Sequence, residues 1–595
     1  MPLLADSSLA TGLTASQSAD ADLALMKSNF AQQFPGTAPS TATTAAAAPM
    51  AIGPSNRSTP YLEENSRVVN TLLSKAQPDE CFSGLGVNYP AGPPCSAPAI
   101  PKTNQGYVWG LGKSENSLWF GTGANVQCLV DGTYLASTSP VVNNSYVCEF
   151  GQSSASRNRG LPAAIGDMRP PHIYKYDITT KTTTDLSSRV TAGADLARLQ
   201  QTVGLRSVGI LGNTTTYLAG PSLTGINIFA FNTQSGAFLG SLALNQYTNI
   251  RKWISLGDSV YTGVANRTGG GSVLKFKPAP GNPLAYSVVT ANIDGEAAEL
   301  ALHKNRIYVS TWPNAGTGGA SALHASSIWM SPRISEDGVL SSGSQNVWTK
   351  VWTVTQYEAD PVTANTYGGG AMFSYQGNLY WGTMHVPFLA TAAKWNRYGS
   401  ALSPIAAIAD SLGTFRATSL FRADDFSISS PRVDLLYGQS LFPVWDPTVS
   451  NGLFAHWTLR QGAMGAPKYG PSGFGNPFNN YTWSMQEYNK QLFVGTMDWS
   501  YLLAQAFPGL LTTAGVNLGN ISLPNPATFY GADLWRFKSG TSSATPQSIN
   551  GVGNYLNYGV RTMASDSRGL YIGTANPMNL MPAGGWELRS ITTDD

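Results

Sequence analysis

Short stretches in which apolar and polar residues alternate recur from about residue 104 onward. Each begins at a turn and ends in Gly or another small residue, often followed by Thr. The copies read SLWFGT (Ser117–Thr122), TTYLAG (Thr215–Gly220), DSVYTG (Asp258–Gly263), RIYVST (Arg306–Thr311), NLYWGT (Asn378–Thr383), QLFVGT (Gln491–Thr496) and GLYIGT (Gly569–Thr574). A period of two predicts strands. An alternating segment precedes the copies, as in YTWSMQEY (Tyr481–Tyr488) and YGVRTMAS (Tyr558–Ser565). Another strand follows, such as NIFAFN (Asn227–Asn232) or DLWRF (Asp533–Phe537), and often a fourth, such as AFLGSLAL (Ala237–Leu244). Helical spacing is rarer. It predicts helices at Asp20–Phe34, at Glu63–Ala76 (Val68, Val69, Leu72 and Leu73 on one face), at Phe388–Trp395 with Ile405–Leu412, and at Trp499–Phe507. Residues 1–60, with TAPSTATTAAAAP and few aromatics, read as a flexible low-complexity leader.

Groups of four short strands repeated at irregular intervals resemble a β-propeller. One four-stranded sheet cannot bury both faces, whereas sheets stacked radially bury one another and leave few edges. The resemblance implies an all-β fold, a seven-bladed β-propeller with short helical insertions on one face. A β-sandwich or several smaller β-domains is the competing architecture. The last copy is followed by a single further strand, WELRS (Trp586–Ser590), so its fourth strand is expected from the segment before residue 104. The domain reading is therefore a leader at 1–60, a helix and Cys-containing segment at 61–104 that closes the ring, and a propeller at 105–595. Insertions are expected at 123–171, 384–415 and 497–530. There are no S-x-D-x-G-x-x-W boxes, Trp-Asp repeat ends or regular Kelch glycine pairs, so the resemblance specifies a fold and no function.

Composition narrows the partners. Of 595 residues, 12% are charged, against about 25% in ordinary soluble domains. The formal charge is +2, which argues against nucleic acid and against a polybasic membrane surface. No run of about eighteen apolar residues occurs, so no membrane span is expected. The four cysteines form two local pairs, Cys81 with Cys95 and Cys128 with Cys148. They lack the C-x-x-C spacing of zinc or redox sites, and two disulfides are expected, with reduced structural thiols as the alternative. Low charge, polar loops and clustered cysteines point to an extracellular or cell-surface protein. The opening MPLLADSSLATGLTASQSAD has neither a basic start nor a sustained apolar core and is not read as a signal peptide.

Propeller geometry then places the candidate chemistry. The starts of the inner strands should meet at the channel mouth and bring Trp109, Arg206, Arg251, Glu299, Gly369, Trp483 and Arg561 together. Residues after each Gly-Thr should share a rim: Trp312 and Asn314, Met384 and His385, Asp498 and Trp499, Asn576 and Pro577. Arginines offer a fixed fork of donors for an anion, and indoles offer a flat face for a sugar ring. The expected function is recognition of a glycan or anionic small molecule at a capped channel mouth. Arg–Glu pairs and indoles that merely fill the channel are the bland counterpart. His385 and Asp498 form the candidate catalytic pair of a hydrolase or lyase, and they would also suit a divalent cation. No metal-ligand spacing supports a metal centre, no haem site occurs, and the Gly-rich stretches TGGGS (Thr268–Ser272) and YGGGA (Tyr367–Ala371) lack a nucleotide-binding context. Whether the chain is an enzyme stays open at this point. A self-assembling surface protein, or another protein docking on the capped face, is the third class.

Overall fold

The computed structural model describes residues 68–87, 92–133, 138–153, 157, 161–191, 193–313, 324–335, 347–401, 404–449, 456–506 and 526–593. The leader, the helix expected at Asp20–Phe34 and the rim residue Asn314 lie outside them. The elements are mostly strands, ordered as antiparallel meanders of four. Their first strands are Gln105–Lys113, Ser207–Leu211, Tyr247–Leu256, Glu296–His303, Tyr367–Tyr375, Asn479–Tyr488 and Gly559–Asp566. Each first strand packs beside the first strand of the next meander, and the last packs against Gln105–Lys113. A cycle of inner strands with sheets radiating from it is a β-propeller.

The repeated phrase has a packing reason. A methyl group on Gly121, Gly382 or Gly573 would come within 3.0 Å of Leu205, Thr482 or Val108 respectively, all on or beside the inner strand of the neighbouring blade. The Gly therefore sets how closely blades stack. RIYVST carries Ser310 instead, and there the neighbour yields, because Gly369 faces the Ser310 hydroxyl. The Thr that follows accepts the backbone N–H that opens the third strand. Thr122 accepts from His172, Thr311 from Ser327, Thr383 from Ser419, Thr496 from Asp533 and Thr574 from Glu587, at 2.8–2.9 Å. A buried N–H left without such an acceptor costs about 1–3 kcal/mol, so the Gly-Thr pair is a stacking and pinning device. Between blades the cores are apolar, as where Tyr217, Trp253 and Phe276 meet.

The helix expected at Glu63–Ala76 is corrected over its described part. Val68–Lys75 is a strand that pairs antiparallel with Glu587–Thr593, from Val68 opposite Thr593 to Lys75 opposite Glu587. Its apolar spacing served both periods, but Val68, Val69 and Thr71 are β-branched and an unpaired strand edge was waiting. Glu80–Phe82 and Ile100–Lys102 pair as a small separate ribbon. Disulfides join Cys81 to Cys95 and Cys128 to Cys148.

Three blades carry long connections between their second and third strands. The first holds a helix at Val126–Thr133 and the Cys128–Cys148 bridge, the second holds helices at Leu389–Tyr398 and Pro404–Thr414, and the third holds a helix at Ser500–Ala506. No helix among the described residues is long and apolar enough to cross a membrane.

Candidate functional site

The inner strands are not regular. Their register with the second strand slips past Trp109, past Arg251 and Lys252, past Ala298, past Gly370 and Ala371, past Trp483 and past Arg561. Each slip is a β-bulge, which bends the strand and re-aims the unpaired residue. Most of the side chains expected at the channel thus come from bulges at one level of the ring. Arg206 reaches the same level from the residue just before its strand.

Arg206, Arg251, Glu299, Trp483 and Arg561 line one central cavity of about 70 Å³. Three guanidinium groups and one carboxylate thus line the same cavity. Each guanidinium lies over an indole: Arg206 over Trp109 at 5.5 Å, Arg251 over Trp312 at 4.4 Å and Arg561 over Trp483 at 5.2 Å from the ring centre. The indoles belong to a continuous run of rings, Trp312–Tyr481–Trp483–Tyr107–Trp109, with centroids 5.6–6.2 Å apart and edges turned to faces. Tyr558 packs against Tyr107, Trp483 and Trp499.

This aromatic arc changes the expected geometry. The capped mouth is filled: Val126, Phe150, Val386, Trp499, Tyr501 and Leu502 from the inserted connections pack on the arc in one apolar cluster. Ser145 and Tyr501, from two different connections, are hydrogen-bonded at 2.8 Å. The cavity lies beneath, because its lining residues sit at the bulges or beyond them along the inner strands, as Leu111, Lys252, Met372 and Met563 do. Trp109, Trp312 and Trp499 are therefore part of the seal; Trp483 alone of the expected indoles lines the cavity.

The electrostatics are unbalanced. Arg251 and Arg561 are 4% and 5% exposed. Burial, then Arg251 and Arg206, push the Arg561 guanidinium well below its ordinary range, against a smaller opposing pull from Glu299. Arg206 donates to Asn249 at 2.8 Å, and Asn249 in turn donates to Glu296 at 2.8 Å. Arg251 Nη2 reaches Met384 Sδ at 3.5 Å, a weak acceptor, while its Nε and Nη1 and the Nε of Arg561 meet no acceptor among the described residues. Donors left bare in a buried site are costly.

His385 and Asp498, the expected catalytic pair, both follow a Gly-Thr and occupy equivalent places in adjacent blades; among the described residues each has its own surroundings. His385 is buried against the Tyr367 ring, and burial with nearby Arg416 pushes it down to about 3. Asp498 accepts from Asn476 Nδ2 at 2.7 Å and from the backbone and hydroxyl of Ser500, and burial pushes it up to about 7. Asn576 fills the same place one blade along and bonds Asn557, so at Asp498 and Asn576 this position fastens a loop to its blade, whereas the His385 ring nitrogens meet no partner among the described residues. No group of three or more metal-ligating side chains occurs among the described residues.

Two features escaped the sequence reading. The first is Asn249, which ties Arg206 to Glu296. The second is the tyrosines of the arc, though YVW (Tyr107–Trp109) and YTW (Tyr481–Trp483) repeat the same Tyr-x-Trp phrase at equivalent places.

No family model matches the chain, and no curated protein does either. Among solved structures it is similar to the extracellular domain of a hybrid two-component system from B. thetaiotaomicron, with 10% identity and a TM-score of 0.34, covering 81% of this chain. The chain spans 38% of that protein's length. It is also similar to the β-propeller domain of the Trilobed protease from Pyrococcus furiosus, with 7% identity, a TM-score of 0.30, and 76% and 98% of the two chains covered. YCF48 bound to D1 peptide gives 9%, 0.33, and 72% and 87%. No activity passes from any of them to this chain; the propeller assignment rests on the strand order and the ring of inner strands.

Proposed function

We propose that this is an extracellular, seven-bladed binding propeller that holds a small anion in its central cavity. In this reading residues 61–104 close the ring, residues 105–595 form the propeller and residues 1–60 are a leader. The observation that carries it is the convergence of Arg206, Arg251 and Arg561 on one cavity facing the single carboxylate of Glu299. Excess buried charge at Arg251 and Arg561 costs several kcal/mol, and an anion lowers that cost while accepting their bare N–H groups. Both disulfides and the low charge agree with an oxidising, extracellular setting. The small volume favours an anionic small molecule over a glycan, since pockets for ring-sized ligands run to about 300 Å³ or more.

The experiment is a titration of the purified protein with potassium sulfate, followed by indole fluorescence, because Trp483 lines the cavity. Saturable one-to-one binding that Arg251→Gln weakens by about tenfold or more is expected for a lost charge-assisted contact. A flat titration, or an unchanged Arg251→Gln curve, overturns the reading.

A further inference from the structure

We infer that the anion is a doubly charged tetrahedral oxyanion, of the sulfate or phosphate kind, and that it enters from the end of the channel away from the helical insertions. This rests on the proposed anion site.

Charge comes first. Three guanidinium groups, Lys252 and one carboxylate border the cavity, and Glu296 stands behind Arg206 through Asn249, so two positive charges are left over. A monoanion would leave one of them without compensation, and a dianion leaves none. Lys252, half-buried on the same wall, adds to the positive field along the approach.

Shape comes second. The guanidinium groups come from separate blades: Arg206 and Arg251 open or interrupt adjacent inner strands, and Arg561 belongs to a strand on the other side of Gln105–Lys113. Donors arriving from several directions suit an acceptor with oxygens in several directions. A planar carboxylate presents its two oxygens on one side. An indole lies against each guanidinium, which fixes the donors before the ligand arrives and limits the ordering cost of binding.

Size comes third. About 70 Å³ is space for roughly five water centres at about 10–15 Å³ each, the scale of one tetrahedral oxyanion with a residual water or two. The entry side follows from the seal. Val126, Phe150, Trp499 and Tyr501 close the capped side with apolar contacts, while the lining residues run from the bulges toward the opposite end.

The test is calorimetric titration of the full chain with potassium sulfate, phosphate, malonate and acetate at matched ionic strength. Sulfate is expected to bind at least about tenfold more tightly than acetate and malonate. Phosphate should tighten between pH about 5.5 and about 8 as its second proton leaves, with sulfate as the internal control. Glu299→Gln removes the one opposing charge and should tighten sulfate severalfold, which keeps the test decisive if Arg251→Gln fails to fold. Malonate or acetate equal to sulfate, all weakened by Arg251→Gln, would overturn the tetrahedral dianion and leave the anion site standing. No binding by any of the four, or binding indifferent to Arg251→Gln, would overturn both. For the route, Lys252→Glu should slow sulfate association, and an unchanged association rate refutes entry from that end.

Discussion

Replacing Arg561 by Met should make the anion-free protein more stable, although it removes a buried side chain's charge and its ring contact. Arg561 is 5% exposed and its guanidinium is disfavoured first by burial and then by Arg251 and Arg206. Like charges sharing one cavity wall repel by ~2–4 kcal/mol per pair over ~4–7 Å at an effective dielectric near 20. Arg561 faces two such neighbours and one carboxylate, so the net is about one repulsive pair, added to a desolvation cost of several kcal/mol. Against this, the stacking of Arg561 on Trp483 contributes ~1–2 kcal/mol, and Met fills the space incompletely. The balance favours Met by about 1–3 kcal/mol when no anion is present. Denaturant unfolding in a low-salt, sulfate-free buffer should show it, and repeating the series in sulfate should narrow or reverse the difference, because the wild type gains more from the ligand. Loss of stability in Arg561→Met under both conditions, by the same amount, would refute the charge argument and mark the arginine as filling.

Two further outcomes concern the scaffold. Asp498, held up to about 7 by burial, binds its proton more tightly in the folded state than in the unfolded chain, where the pKa is near 3.9. Its favourable contribution is complete below pH about 4 and lost as pH rises through about 7, by at most ~4 kcal/mol. Asp498→Asn removes this titration and should flatten part of the pH profile read by thermal unfolding; an unaltered profile would contradict it. Gly382→Ala places a methyl group within 3.0 Å of Thr482 and should cost ~1–3 kcal/mol by overpacking, an expectation that an unchanged denaturation midpoint would remove.

Much of the architecture was legible because its cause is local and repeated. The Gly that lets blades stack and the Thr that accepts the third strand's N–H stand side by side in SLWFGT, NLYWGT, QLFVGT and GLYIGT, and the other copies keep the same small-residue ending. The convergence of Arg206, Arg251 and Arg561 was legible too, since all three stand where an inner strand begins or soon after. Their depth was not. It depends on bulges at Trp109, Arg251, Trp483 and Arg561, and a bulge leaves no mark in the alternation short of knowing the partner strand. The sealed mouth was missed for a related reason. Trp312 and Trp499 were assigned to a rim by topology, whereas ring-on-ring packing with Tyr481 and Tyr558 draws them inward. Val68–Lys75 illustrates tertiary override, because an apolar spacing that fits a helix also fits a strand when an edge such as Glu587–Thr593 lacks a partner.

The pairing of Val68–Lys75 with Glu587–Thr593 also orders events in time. In synthesis the first of these strands leaves the ribosome long before its partner exists; Asn70 and Arg589, which touch across the pair, are 519 positions apart. Closing a flexible loop of that length costs about 5–6 kcal/mol in chain entropy, a cost that falls only as the intervening blades form and bring the ends together. The early strand must spend that interval with its hydrogen-bonding edge uncovered. The ring is therefore a late, whole-chain event, and its seam is where a nascent molecule is open to intermolecular strand pairing.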